Sequence, residues 1–135
     1  MKNKTENPWE FLDEYRKDII KGKWPTIPEM IKINVERAPS HPAFTIFNPM
    51  ELHFTYREVW QRMEAISSYL SSLGIKKGDR VGLMGKNSPQ WALAYLSVLN
   101  MGGVIVPLDN QLEQETAKKL MDFAGVKCLF VDGDK

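Results

Sequence analysis

The chain has 135 residues, 43% of them hydrophobic and 26% charged, and 18 Lys plus Arg offset 17 Asp plus Glu to a net charge of +1. That length and balance suit one globular domain, and they exclude a disordered polyelectrolyte and any broad basic face for nucleic acid or anionic lipid. Cys128 is the only cysteine, and His41 and His53 are the only histidines, so an intrachain disulfide framework and a thiolate zinc site are excluded.

In chain order, residues 1–25 read as a helical arm. Asn7-Pro8-Trp9-Glu10 has the pattern of a helix start, and Trp9, Leu12, Tyr15 and Ile19 follow on one face up to Gly22. No apolar stretch follows the N-terminal lysines, so a secretory signal is not expected. Thr26-Ile27-Pro28-Glu29 is a capping box that opens a second helix, ending before Pro39. Ala43 to Phe47 and Leu52 to Phe54 read as a hairpin around the turn Asn48-Pro49-Met50-Glu51.

The third helix carries the fullest set of signals. Thr55 and Glu58 form a capping box, Phe54 and Val59 are spaced for a hydrophobic staple, and Tyr56, Val59, Met63, Ile66, Leu70 and Leu73 make one apolar stripe. Gly74 is expected in the left-handed position after the last turn, with Ile75 folded back on Leu70. Arg80 to Met84 then reads as a strand, Ser88-Pro89 as the start of a helix that is apolar nearly all round, and Val104-Ile105-Val106 as a strand. Asn87 to Leu108 is long and uncharged enough to cross a bilayer, but Gly102-Gly103 interrupts it, and a buried helix, turn and strand fit it better. A helix from Glu113 to Ala124, with Ala117, Leu120, Met121 and Ala124 inward and Gly125 as its stop, and a strand from Lys127 to Val131 complete the chain. The expected fold is α/β: a parallel-rich sheet with helices on both faces, preceded by the arm and the hairpin.

No chemistry is spelled out by spacing alone. Gly82-Leu83-Met84-Gly85-Lys86 lies at a strand-to-helix junction, but two residues separate its glycines where a phosphate loop needs four, and Asn87 follows the lysine instead of Ser or Thr. It is therefore read as a turn. Asp109, Asp132 and Asp134 follow strands in an order that does not suit a phospho-acceptor domain, and Cys128 reads as a small core residue.

Four segments together resemble the AMP-forming acyl-CoA synthetases of the adenylate-forming superfamily. Leu52-His53-Phe54-Thr55-Tyr56-Arg57-Glu58 resembles that family's Leu-Thr-Tyr-x-Glu segment. Gly74-Ile75-Lys76-Lys77-Gly78-Asp79-Arg80-Val81 is similar to its Gly-Val-Lys-x-Gly-Asp-x-Val, and Asn87-Ser88-Pro89-Gln90-Trp91 to its Asn-Ser-Pro-Glu-Trp. Gly102-Gly103-Val104-Ile105-Val106-Pro107-Leu108-Asp109 resembles its Ala-Gly-Ala-Val-x-Val-Pro-Leu-Asp. The likeness runs over about residues 26–132 and is nearest to bacterial long-chain fatty acid–CoA ligases.

The resemblance implies that residues 26–135 are the first subdomain of the synthetase N-terminal domain, cut short. It also implies a parent enzyme that uses ATP, magnesium and CoA to convert a fatty acid to acyl-adenylate and then to acyl-CoA. The family's glycine-rich Ser/Thr loop, its magnesium-binding acid and its C-terminal lysine have no counterpart among these 135 residues. The isolated chain is therefore expected to be inactive and to need no cofactor, with no catalytic or metal-binding residue to name. Asp109, Asn110 and Gln111 follow the strand Val104 to Val106, where ligands of parallel sheets sit, and the resemblance implies that this loop approaches the nucleotide end of CoA; the alternative is a polar loop that caps the next helix. A chain cut short in this way is expected to be cytoplasmic, without a membrane-spanning segment or nucleic-acid partner, and to form homo-oligomers through the surface left open. The alternative is a stand-alone binding or assembly module that keeps the scaffold without catalysis.

Overall fold

A computed structural model describes residues 24–47 and 51–133. The expected helix from Asn7, the tip of the hairpin turn at 48–50 and Asp134 lie outside the described residues. The elements are α1 (Ile27–Arg37), β1 (Pro42–Ile46), β2 (Leu52–Thr55), α2 (Tyr56–Ser72), β3 (Arg80–Met84), α3 (Pro89–Asn100), β4 (Val104–Leu108), α4 (Gln114–Ala124) and β5 (Val126–Val131).

Local chemistry sets the helix ends. In both capping boxes the threonine oxygen accepts from the third helical N–H and the glutamate reaches back. At α2 the Thr55 N–H donates to Glu58 Oε2 at 2.8 Å, and Glu58 N–H to Thr55 Oγ1 at 3.3 Å. The Thr55 backbone N–H, then its hydroxyl, hold the Glu58 carboxyl below its usual pKa. The other end of α2 is a Schellman motif, with Ile75 N–H on Leu70 O at 3.1 Å and Gly74 N–H on Ser71 O at 3.0 Å. Gly74 holds φ +86, a region that costs any side chain with a Cβ. Gly125 ends α4 in the same left-handed region.

β1 and β2 pair antiparallel, with Phe44 opposite Phe54, as a separate two-stranded sheet. The parallel sheet has the order β4-β3-β5, with Val81 level with Ile105 on one side and Cys128 on the other. Being central, β3 is buried from Val81 to Met84, whereas the edge strands are half-open. Helices cover both faces. On one, Val81 packs with Val98 of α3 and Leu70 of α2, and Cys128 and Phe130 join them. On the other, Ala117 and Met121 of α4 share a cavity of about 490 Å³ with Met84, Leu129 and Val131.

The core has two cells joined by Ile66. Phe54, Val59, Met63 and Leu93 lie under the hairpin and α1, and Leu70, Ile75, Val81 and Val98 lie against the sheet. Phe54 and Val59 share the first cell, as the staple spacing implies. Each fully buried side chain of this size contributes about 1.5–3 kcal/mol.

Three expectations need correction. Leu73 is 55% exposed, because the Schellman turn folds Ile75 onto the Leu70 patch in its place. Leu120 is 43% exposed, because α4 meets the sheet through a narrow face centred on Ala117. Gly82, counted both in the strand Arg80 to Met84 and in the turn up to Lys86, belongs to the strand alone. It lies within β3, where a Cβ would come 2.9 Å from Leu129 Cδ1, so its role is close packing against β5.

Candidate functional site

The carboxyl ends of β3, β4 and β5 lie along one edge of the sheet, and the loops that leave them form the candidate site. After β4, Asp109 Oδ1 accepts from Gln111 N–H at 2.9 Å and Asp109 O from Leu112 N–H at 3.2 Å, an Asx turn that leads into α4. Asp109 and Gln111 are exposed and Asn110 is half-buried. Glu113 follows as the N-cap of α4 and makes no side-chain cap bond, so the first amides of that helix keep no side-chain partner from the cap. Two carboxylates, Asp109 and Glu113, border this loop. Their charge suits hydroxyl or amino groups that donate hydrogen bonds, and it opposes phosphate.

After β3 the turn is built differently. The Lys86 N–H donates to Asp132 Oδ2, beyond the end of β5, at 2.8 Å. Gly85 stands where a Cβ would come 2.7 Å from Asp132 Oδ1. Its φ is not positive, so the glycine is required by the approach of the carboxylate and not by a left-handed turn. The carboxylate thus takes an amide that a phosphate cradle would need free, and Ser88 Oγ takes the Trp91 N–H of α3 at 3.1 Å. Asp109 and Asp132 follow the two strands that flank β3, so about 10 Å, two strand spacings, separates their strands. Among the described residues no group of three His, Cys, Asp or Glu side chains could hold a metal ion.

The amino edge of the sheet carries a separate polar cluster. Asp79 Oδ2 accepts from Lys76 N–H at 2.8 Å, and Asp79 Oδ1 is 2.6 Å from Lys127 Nζ. Lys127 is the residue skipped in the register between β3 and β5, a bulge that turns its side chain toward Asp79. The Lys127 ammonium, then the Lys76 N–H, hold the Asp79 carboxyl below its usual pKa. This cluster lies one strand length, about 16 Å, from the carboxyl edge and serves the fold.

Two features are barely signalled in the sequence. One is the contact between Asp132 and Lys86, which spans 46 residues. The other is a buried polar seam between α2 and α3. Ser67 Oγ donates to Ser97 O at 2.9 Å, Ser97 Oγ to Leu93 O at 2.6 Å, and Asn100 Nδ2 to Ser67 Oγ at 3.3 Å. A serine three or four residues from Met63 and Leu70 falls on the apolar face by periodicity, and that is the one hint available.

The family model described as "AMP-binding enzyme" matches residues 31–135. Gramicidin S synthase 2 of Brevibacillus brevis is 30% identical over 97 residues, which cover 72% of this chain and 2% of that protein. A CoA ligase of Mycobacterium tuberculosis, specific in name for a methyl-dioxo-octahydroindenyl propanoate, is 28% identical and matched over 80% of this chain and 21% of its own length. The N-terminal subdomain of Klebsiella oxytoca NpsA, solved with 3-hydroxyanthranilyl-AMSN, superposes with a TM-score of 0.71 at 25% identity, covering 81% of this chain and 27% of that one. The inhibitor-bound N-terminal domain of FACL13 from M. tuberculosis gives a TM-score of 0.74 at 23% identity, covering 80% and 27%. The chain thus spans about a fifth or less of the curated relatives cited here.

Proposed function

Since this chain belongs to the AMP-binding enzyme family, we propose that it is the N-terminal segment of an AMP-forming fatty acid–CoA ligase. In such a ligase a carboxylate oxygen attacks the α-phosphorus of ATP, releasing pyrophosphate and leaving acyl-AMP. The CoA thiol then takes the acyl group and AMP departs. The observation that carries the reading is the family match over residues 31–135, joined to relatives that are acyl-CoA ligases by name. The fatty acid as substrate rests on the likeness of Pro25-Thr26-Ile27-Pro28-Glu29 and Pro107-Leu108-Asp109 to long-chain ligases.

In this reading the described residues supply scaffold. Asp109, Asn110 and Gln111 approach the nucleotide end of CoA, and the acidic loop favours ribose hydroxyl or adenine amino groups over phosphate. The residues around Gly85 do not fit ATP or magnesium, since the Lys86 amide is taken by Asp132. No step of the reaction is assigned to them. The isolated chain is inactive in this proposal, because loss of even one transition-state donor commonly costs about a hundredfold or more.

The same proposal holds that the chain works in the cytoplasm and self-associates. Among the described residues no helix is long and apolar enough to cross a membrane. Phe123 is 93% exposed, and among the described residues β4 and β5 are the edges of the three-stranded sheet, features that favour association. Light scattering that reports a monomer at high micromolar concentration removes that part of the proposal.

ATP–pyrophosphate exchange tests the rest. The 135-residue chain is expected to give no acid-dependent exchange with fatty acids. The reading frame extended through a Ser/Thr-rich glycine loop is expected to give it. Exchange driven by amino acids or aryl acids and not by fatty acids overturns the substrate. Exchange by the short chain itself overturns the scaffold role. A natural stop codon after Lys135 favours the stand-alone module.

A further inference from the structure

The turn that Asp132 locks also borders a small cavity that the ligase reading leaves unused. It has a volume of about 110 Å³ and opens at the carboxyl edge between β3, β5 and the first turns of α3. Phe130 and Trp91 form aromatic walls, Gln90 and Asp132 bring polar groups, and Gly85 lies against the carboxylate. The Trp91 indole is stacked on Tyr95 with ring centroids 5.4 Å apart, which fixes that wall.

Asp132 is held in place with half of its hydrogen-bonding capacity unspent. Oδ2 accepts the Lys86 N–H at 2.8 Å, whereas Oδ1 has no donor among the described residues. Its nearest constraint is the missing Cβ of Gly85. A fixed carboxylate oxygen beside two aromatic rings, in a space too small for a nucleotide, matches the needs of a compact organic cation. Such a group gains a charge-assisted hydrogen bond from the carboxylate and attraction to aromatic walls. The amino end of α3 opposes it with about half a unit charge, partly answered by the Ser88 cap. The full charge of Asp132 exceeds that half charge, and with the helix end and the cationic Lys86 close by, the affinity for a cation is modest.

We propose that this cavity, formed by Gly85, Gln90, Trp91, Phe130 and Asp132, binds the end group of an alkylguanidinium or alkylammonium ion. The proposal stands apart from the ligase reading, since it involves no ATP, acid or CoA.

The probe is methylguanidinium chloride, titrated into the uniformly ¹⁵N-labelled chain at constant ionic strength and followed by NMR. Saturable shifts are expected at the Trp91 indole, assigned with Trp91→Phe, and at the Gly85 and Lys86 amides. Methylurea, the neutral analogue, should bind at least about tenfold more weakly, as expected for loss of one charge-assisted bond. Asp132→Asn keeps an acceptor for the Lys86 N–H and should weaken methylguanidinium by a similar factor. Gln90→Glu should tighten it several-fold, a gain that misfolding cannot mimic. Acetyl-arginine amide, run in parallel, tells a protein side chain from a small free guanidinium ion by which binds more tightly at the same residues. Equal shifts with methylurea, unchanged binding in Asp132→Asn, or shifts that follow sodium chloride without saturating would each overturn the proposal.

Discussion

Asp79 and Lys127 lie 48 residues apart in sequence and pair at 2.6 Å across the amino edge of the sheet. The pair ties the turn before β3 to the bulge at the start of β5, and Asp79 also accepts the Lys76 N–H. Because these partners hold the carboxyl below its usual pKa, the unfolded state binds the proton more readily than the folded one. The stabilisation is therefore complete above the unfolded value, near 3.9, and is lost as pH falls through the folded value below it. Asp79→Asn should lower the melting temperature at pH 7, and the gap from wild type should narrow as pH falls below about 4. A gap that stays constant down to acid-induced unfolding would show that the charge on Asp79 contributes nothing.

Gly74 supplies a test of backbone strain. A Cβ there would meet nothing within 4 Å, so only the positive φ opposes substitution. Gly74→Val should destabilise by about 1–3 kcal/mol in urea unfolding, and Gly74→Asn by less, since asparagine tolerates the left-handed region. Equal, negligible effects from both would contradict the Schellman geometry.

The polar seam between α2 and α3 should be sensitive to small changes. Ser67→Ala removes the donor to Ser97 O and the acceptor for Asn100, at a cost of about 0.5–1.5 kcal/mol, the usual net worth of a hydrogen bond, since Ser97 O keeps the Met101 N–H. Ser67→Leu, which also overpacks the interface, should cost more. Thermal unfolding of the two variants checks the order.

Gly85 and Asp132 should be energetically coupled. Gly85→Ala brings a methyl group to 2.7 Å from Asp132 Oδ1, and relief requires moving the carboxylate or the turn, at about 1–3 kcal/mol. In the background of Asp132→Ala the same substitution should cost clearly less, because the carboxylate has gone. A double-mutant cycle measures the difference, and simple additivity would refute the contact.

Much of this protein is legible in short stretches of sequence. Thr26 with Glu29, Thr55 with Glu58, Ser88-Pro89, Gly74 and Gly125 each mark a helix end, because capping is decided within four or five residues of the chain. The central strand reads directly from the run Val81 to Met84, and the family match is carried by segments of the same short length. Which part of an apolar stripe becomes core is decided elsewhere. Periodicity treats Leu73 and Leu120 as it treats Leu70 and Ala117, and the Schellman turn at one helix and the width of the facing surface at the other separate the buried from the exposed. The same holds for polar groups. Ser67, Asp79 and Asp132 look like ordinary surface residues until the fold brings Ser97, Lys127 and Lys86 within hydrogen-bond distance, across 30, 48 and 46 positions. Local rules set where elements start and stop. Pairing at that range depends on strand order and helix packing, so only the tertiary structure decided which polar groups are held and which carboxylate oxygen is left to bind something else.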